Sequence, residues 1–143
     1  MVALGLIMVG LLGIVTLYTR SFVLNRGVVN ETIAAGLAAE GIEVVKSIVD
    51  AQVAEGLGWI IGDDEFEIEY GSTVYRGVSG MPLRFNNSDG TYTYNPSGVP
   101  TPFRRTLSAS SLGPNDEEYR VSVRVEWDEG DGTQSIVVED HFF

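Results

Sequence analysis

Residues 1–19, MVALGLIMVGLLGIVTLYT, carry no charged side chain, and the helical pattern of the sequence continues far beyond them. An apolar run of this length makes about 28 Å of helix, close to the hydrocarbon thickness of a bilayer. Arg20 does not end the pattern, because apolar residues recur at helical spacing as far as Val53 and the first proline is Pro82. The sequence therefore predicts one helix of about 54 residues, roughly 80 Å long, which is lipid-like in its first third and amphipathic after it.

The apolar start has the properties of a retained membrane segment rather than of a cleaved secretory signal. No basic residue precedes the run, and the run ends in LYTRSF (17–22), which lacks the small-residue pattern of a cleavage site. By the positive-inside rule alone, Arg20 and Arg26 would place the C-terminal side of the span in the cytoplasm.

The composition limits the kinds of partner and the size of the core. If the helix uses the first third of the 143-residue chain, about 85 residues remain for a globular head with one modest core that leans on the amphipathic half of the helix. The net charge of -11 argues against a nucleic-acid partner, since phosphate contacts need clustered Lys and Arg. The acidic residues concentrate in the head, where they would keep an exported protein soluble. The chain has no cysteine and therefore has neither a disulfide nor a thiol nucleophile.

Glycine and a change of pattern mark the end of the helix and the start of a β-rich head. Gly56 and Gly58 are predicted to end the helix, because glycine favours the C-terminal capping position. After Trp59 the sequence changes to short alternating runs separated by turn residues, which is typical of strands. The predicted strands are EFEIEY (65–70), STVYRG (72–77), TYTYN (91–95), FRRTLSAS (103–110), EYRVSVRVEW (118–127) and TQSIVVEDHFF (133–143), whereas FNNSDG (85–90) and PSGVPTP (96–102) are predicted as a loop and a linker.

The last two predicted strands give the clearest β signal. They are joined by residues 128–132, DEGDG, a hairpin turn with glycine where positive φ is needed. In the strand before this turn, one face is predicted to carry Val121, Val123, Val125 and Trp127, and the other Arg120, Arg124 and Glu126. The whole pattern predicts an α+β fold: a long N-terminal helix, membrane-spanning and then amphipathic, packed against a small antiparallel β-sheet head. Its parts are the apolar helix half (1–19), the amphipathic helix half (20–56) and the head (57–143).

No group of residues has the spacing of an active site. The sequence has no P-loop, no dinucleotide fingerprint and no Ser/His/Asp arrangement with nucleophile-elbow spacing, so no catalytic or cofactor-binding residue and no enzyme activity is predicted. His141 beside Asp140 does not make a metal site and is interpreted as a polar residue near the end of a strand. The acidic turn from Asp128 to Asp131 lacks the spacing of an EF-hand, and calcium binding there is left open.

Two stretches of the helix resemble type IV pilins and pseudopilins of bacteria, in particular the minor pilins. They are VALGLIMVGLLGIV (2–15) and LAAEGIEVVKSIVD (37–50), and in the head TYTYN (91–95), TPFRRTLS (101–108) and the segment 119–142 are similar to strands of the same group. The resemblance implies the lollipop fold of that family. The apolar half of the helix would lie in the inner (cytoplasmic) membrane before assembly, with the head outside. It would then lie in the core of an extracellular or periplasmic filament.

The sequence departs from the family pattern at its start. Members begin with a short basic leader that is removed by the prepilin peptidase, followed within a few residues by a glutamate, whereas here no acidic residue precedes Glu31. Aligned on the VAL motif, Met1 falls immediately after the place of that glutamate, so we expect the chain to be truncated. A missing basic leader would also explain the reversed orientation that the two arginines indicate.

The resemblance implies a structural subunit of a type IV pilus or of a type II secretion-like filament, with a minor subunit favoured. Its partners would be other pilin or pseudopilin subunits. Gly5, Gly10 and Gly13 would allow close helix approach or soften the helix, or they are ordinary transmembrane glycines. The residues predicted for the assembly helix core are Val2, Leu6, Val9, Gly10, Leu11, Gly13, Ile14 and Leu17, and those predicted for the interface between helix and head are Ile33, Leu37, Val45, Ile48 and Val49.

The alternative is a membrane-anchored, exported binding domain that does not polymerise. Its candidate exposed aromatic residues are Trp59, Tyr92 and Tyr94, although a core position is the commoner one for such side chains.

Overall fold

The computed structural model describes the backbone of residues 2–56, 64–72, 75–112, 118–130 and 132–143. Within the helix, side chains are described at positions 3, 5, 7–18 and from 26 onward. The chain divides into two compact units, Met1–Thr32 and Ile33–Phe143. The second unit contains the last part of the helix together with all the described strands.

The helix α1 is assigned to Val2–Ala54. Its end is the predicted one: Gly56 has a φ of 73°, and its N–H donates a hydrogen bond to the Val53 carbonyl at 3.0 Å. The left-handed conformation suits glycine because a Cβ atom would be strained there. Within the helix, the Thr16 and Thr32 hydroxyls donate to the Leu12 and Val28 carbonyls at 2.8 Å, so these polar groups are satisfied locally.

The predicted fold class, a membrane-spanning and then amphipathic helix against a small antiparallel sheet, is wrong. Among the residues that the structure describes, no helix is both long enough and apolar enough to cross a membrane. The β part is also larger and differently organised than predicted, since the described residues form eight strands in two antiparallel sheets. Outside α1 the described chain consists of strands and their connections. The second sheet includes a pairing of residues 84–85 with residues 99–100, which lie far apart in the chain, and the local pattern does not report this pairing.

The strands are β1 (Glu65–Glu67), β2 (Arg76–Gly77), β3 (Arg84–Asn86), β4 (Thr91–Thr93), β5 (Val99–Pro100), β6 (Arg104–Ser111), β7 (Tyr119–Glu129) and β8 (Gly132–Phe142). The larger sheet has the order β2-β1-β6-β7-β8, and the smaller one has the order β4-β3-β5. All the pairings are antiparallel. The predicted hairpin of the last two strands is confirmed, with Glu129 opposite Gly132 across the turn.

The smaller sheet corrects two predictions, because β3 includes part of the predicted loop and β5 lies in the predicted linker. The Arg84 guanidinium links β3 to the residues just before β5 by donating to the carbonyls of Pro96 (3.0 Å) and Gly98 (2.7 Å). Glycine is needed at position 98, since a Cβ there would lie 2.8 Å from the Cβ of Arg84. Gly98 thus directly precedes β5, and Pro100 stands in this short edge strand, where proline is tolerated.

The core lies between the second part of α1 and the larger sheet. Small and branched residues of the helix, among them Ala34, Ala38 and Val45, belong to one buried cluster together with the inward-facing residues of β7. The predicted alternation of β7 is confirmed: Val121, Val123, Val125 and Trp127 are buried, and Arg120 and Arg124 are exposed. Helix and sheet approach closely at Gly41, where a Cβ would lie 2.9 Å from Cγ1 of Val123.

Candidate assembly interface

Residues 7–18 of α1 form a continuous apolar surface, which we call the apolar helix segment. Its large side chains are between 57% and 71% exposed, at Ile7, Met8, Val9, Leu11, Leu12, Ile14, Val15, Leu17 and Tyr18. These positions lie on every side of the helix, and none of the twelve residues carries a charge. A helix that is apolar all round is normally buried in protein or lipid, so this segment is the candidate functional surface of the chain.

The structure places the predicted assembly residues on this surface. Val9, Leu11, Ile14 and Leu17 are exposed, whereas the side chains of Val2 and Leu6 lie outside the described residues. At Gly10 and Gly13, an added Cβ would meet no atom within 4 Å. Packing among the described residues of a single chain therefore does not require glycine at these two positions.

The residues predicted for the interface between helix and head lie in or beside the core of the second unit. Leu37, Val45 and Ile48 belong to the buried cluster, and Ile33 and Val49 are partly buried hydrophobic residues packed against it. They share one stripe of α1, in keeping with the i, i+4 spacing of an amphipathic helix.

A buried arginine joins this part of the helix to the sheet. Arg105 of β6 is 1% exposed. One of its guanidinium nitrogens, Nη1, donates to the Leu37 carbonyl at 3.1 Å and to Oε1 of Glu40 at 2.9 Å. The other, Nη2, donates to the Ile68 carbonyl at 2.8 Å, and Nε lacks a hydrogen-bond partner. A buried charge is tolerated when it is paired and hydrogen-bonded, so Arg105 fixes the helix on the sheet at a defined position.

A second buried charge, Glu67 of β1, organises the segment that follows β2. Its Oε1 accepts hydrogen bonds from the backbone N–H groups of Ser79 (3.0 Å) and Gly80 (3.1 Å). Its Oε2 accepts from the Ser79 hydroxyl at 2.8 Å and from Nε and Nη2 of Arg76 at 3.1 and 3.0 Å. The Glu67 carboxylate therefore supplies the acceptors for the backbone N–H groups of Ser79 and Gly80, which lie outside the described strands.

Tyr94 lies between these two charged groups. Its hydroxyl donates to the Arg105 carbonyl at 3.0 Å, and the Arg76 guanidinium carbon lies 3.9 Å from the centre of its ring. Its backbone N–H donates to Oε1 of Glu69 at 2.7 Å, which ties the segment after β4 to the chain beside β1. Burial, reinforced by the negative charge of Glu67, raises the pKa of Tyr94 to about 12.

The raised pKa predicts a loss of stability at alkaline pH. The native state holds the Tyr94 proton more tightly than the unfolded state, so this contribution is complete below pH 10 and is lost as the pH rises to about 12. The free energy of unfolding should fall by about 2–3 kcal/mol across this range. Urea denaturation at pH 8, 10, 11 and 12 measures it. Tyr94→Phe should start about 1 kcal/mol less stable but show a flatter profile, whereas Tyr70→Phe, at an exposed position, should keep the wild-type slope.

The other residues singled out in the sequence have structural surroundings. Tyr92 is half-buried and packs edge-on against Phe85 at 5.2 Å, and Trp59 lies outside the described residues. Nδ1 of His141 lies 2.7 Å from Oε1 of Glu118. In the acidic turn, Asp128 accepts hydrogen bonds from Thr133 and Arg104, and these lower its pKa. Asp131 is not among the described residues, and among those that are, no group of three or more His, Cys, Asp or Glu side chains is placed to hold a metal ion.

The sequence analysis missed Arg105 and Glu67 as buried charges. The burial of Arg105 could have been predicted, because the alternation along its strand places it on the same inward face as Phe103 and Leu107. Glu67 gave no such signal, since strand alternation places it outward, opposite to Phe66.

Comparison with protein-family models, with curated proteins and with solved structures finds no match to this chain.

Proposed function

We propose that this chain is a structural subunit, a pilin or pseudopilin and by resemblance a minor one, of a type IV pilus or a type II secretion-like filament. Assembly is through the apolar helix segment, which packs against the same segment of neighbouring subunits. The supporting observation is the exposure of nine large apolar side chains on twelve consecutive residues of α1. The partners are further copies of this chain or related subunits, and the filament is extracellular or periplasmic.

The energetics of burial support this proposal. Fully burying a Val, Leu, Ile or Met side chain contributes about 1.5–3 kcal/mol, so a few such contacts per subunit offset the cost of association. Gly10 and Gly13 leave the helix surface open at two positions of this segment. Small residues allow the backbones of neighbouring helices to approach closely.

The test is a lysine substitution in the apolar helix segment. Leu11→Lys should reduce sedimentable assemblies at least tenfold when purified full-length chain is transferred out of detergent, because an unpaired ammonium group in an apolar bundle costs several kcal/mol. Negative-stain microscopy and sedimentation are the measurements. Val99→Lys is the matched control, since Val99 is 50% exposed but lies in the smaller sheet, outside the proposed interface.

Two outcomes would contradict the proposal. Filaments of Leu11→Lys like those of the wild type would remove the apolar helix segment from the interface. Association of the wild-type chain with lipid vesicles as single copies would favour the anchored binding domain that does not polymerise.

A further inference from the structure

The outer edge of β8 is a second candidate interaction surface, separate from the helix. β8 runs for eleven residues at the end of the larger sheet, and among the described residues no strand is hydrogen-bonded to its outer side. Its pairing with β7 is continuous from Glu129↔Gly132 to Tyr119↔Phe142, with no bulge. A regular edge strand of this length presents a row of backbone N–H and C=O groups that can pair with another strand.

The strand lacks the features that normally protect an edge. Charged residues, lysine above all, proline, bulges and short length discourage edge pairing in soluble proteins. Here, residues 132–138, GTQSIVV, carry no charge and no proline, and the acidic residues Glu139 and Asp140 are confined to one end. Because the charged residues lie at one end of β8, the direction of a partner strand determines whether like charges meet.

A second copy of β8 fits when it runs antiparallel about a two-fold axis at Val137. This register aligns all eleven residues and opposes each carboxylate to an uncharged polar residue of the other copy. A parallel arrangement would bring the acidic ends together, and like charges opposite one another are destabilising. The pairs in the antiparallel register are Gly132 with Phe142, Thr133 with His141, Gln134 with Asp140, Ser135 with Glu139, Ile136 with Val138, and Val137 with itself.

The inner face of β8 supports the same register. Ile136 and Val138 lie opposite the buried Val125 and Val123 of β7, yet they are only partly buried at the margin of the core. Antiparallel partners share a face, so the proposed pairing sets Ile136 beside Val138 of the other copy. Ile136 and Val138 of the two copies then lie side by side, and less of their apolar surface is exposed to water.

We propose that β8 is a self-association edge through which two copies of this chain join their larger sheets in the antiparallel register centred on Val137. The interface consists of backbone hydrogen bonds and a short apolar centre, so it is weak between free chains. It does not depend on the apolar helix segment.

A cysteine cross-link tests the axis, because the native chain has no cysteine. Opposed residues of an antiparallel pair have Cα atoms about 4.5–5.5 Å apart, within the range that a disulfide requires. Val137→Cys should therefore form disulfide-linked dimers at least tenfold faster than Arg124→Cys under mild oxidation. Arg124 is also exposed and lies opposite Val137 on β7, but two copies of it would be about 14 Å apart across the proposed edge.

A mixed pair of variants tests the register. Ser135→Cys and Glu139→Cys should cross-link to each other when mixed, and each should cross-link poorly with itself, since like positions lie about 13 Å apart along the strand. Adding Val137→Lys to both should reduce this cross-link at least tenfold by placing two ammonium groups face to face. Val78→Lys is the control, with 43% exposure against 47% for Val137.

The results separate this proposal from helix-mediated assembly. The Val137→Cys dimer should still form when Leu11→Lys is also present, because the β8 edge does not require the apolar helix segment. Equal cross-linking of Val137→Cys and Arg124→Cys, or equal self-linking and mixed linking of the register pair, would overturn the proposal. Loss of the dimer in the Leu11→Lys background would also overturn it as an independent interface.

Discussion

Arg105→Met is expected to lower the free energy of unfolding of the C-terminal unit by about 3–5 kcal/mol, because two backbone carbonyls and the Glu40 carboxylate together lose their charged hydrogen-bond donor. The substitution removes the donor of the hydrogen bonds to the Leu37 and Ile68 carbonyls and leaves the Glu40 carboxylate without its cation. Methionine has a similar length and fills much of the space, so the loss reports the polar contacts more than a cavity.

Urea denaturation of the full-length chain in detergent, followed by tryptophan fluorescence, measures this effect. The matched control is Arg104→Met, one residue earlier on the opposite face of β6, where the arginine pairs at 3.2 Å with an exposed Asp128. A surface pair of this kind contributes about 0–1 kcal/mol. Equal losses from the two substitutions would contradict the role assigned to Arg105.

Glu40→Gln separates the charge of the pair from the hydrogen bonds. The Glu40 side chain is 26% exposed, and in this variant Arg105 keeps both backbone carbonyls. The expected loss is therefore about 1 kcal/mol, well below that of Arg105→Met. A loss as large as that of Arg105→Met would mean that the stability comes from the ion pair with Glu40 and not from the hydrogen bonds of Arg105 to the two backbone carbonyls.

The structural elements that were correctly predicted from the sequence are those that neighbouring residues determine. The strict alternation of β7 and the two glycines of its turn are sufficient to specify a hairpin, and Gly56 ends α1 because left-handed φ favours glycine at that position. Neighbouring residues decide these features through propensity and periodicity. The helical stripe of Leu37, Val45 and Ile48 follows the same logic.

The pairing of β3 with β5 and the buried charges depend on distant contacts. β3 forms a local hairpin with β4, but β5 is held beside it by residues far along the chain: the Leu83 carbonyl accepts from the Thr101 hydroxyl at 2.6 Å, and the Leu83 N–H donates to the Phe103 carbonyl at 2.7 Å. No spacing rule reports such a pairing in advance. The edge position of β8 is likewise a property of sheet order, which is visible only once the strands are arranged. The apolar helix segment, by contrast, is a contiguous run and could be predicted as a candidate surface from the residues themselves.

Glu67→Gln is expected to cost about 2–3 kcal/mol and to loosen the segment from Arg76 to Gly80, because a buried polar group loses its partners. The native carboxylate has acceptor oxygens on both sides, and both face donors: the N–H groups of Ser79 and Gly80 on one, and Arg76 with the Ser79 hydroxyl on the other. Glutamine has one oxygen. Whichever way its amide is turned, the NH₂ group faces donors instead of acceptors.

Hydrogen exchange distinguishes this local effect from general destabilisation. The amides of Ser79 and Gly80 should lose protection by tenfold or more in Glu67→Gln, beyond any change in the amides of β7, because their acceptor is the altered side chain itself. Glu65→Gln is the control, since Glu65 lies on the same strand but is exposed, and it should change stability by less than about 0.5 kcal/mol. Unchanged protection at Ser79 and Gly80 would mean that the segment is held by other contacts, and the buried position of Glu67 would then need a different explanation.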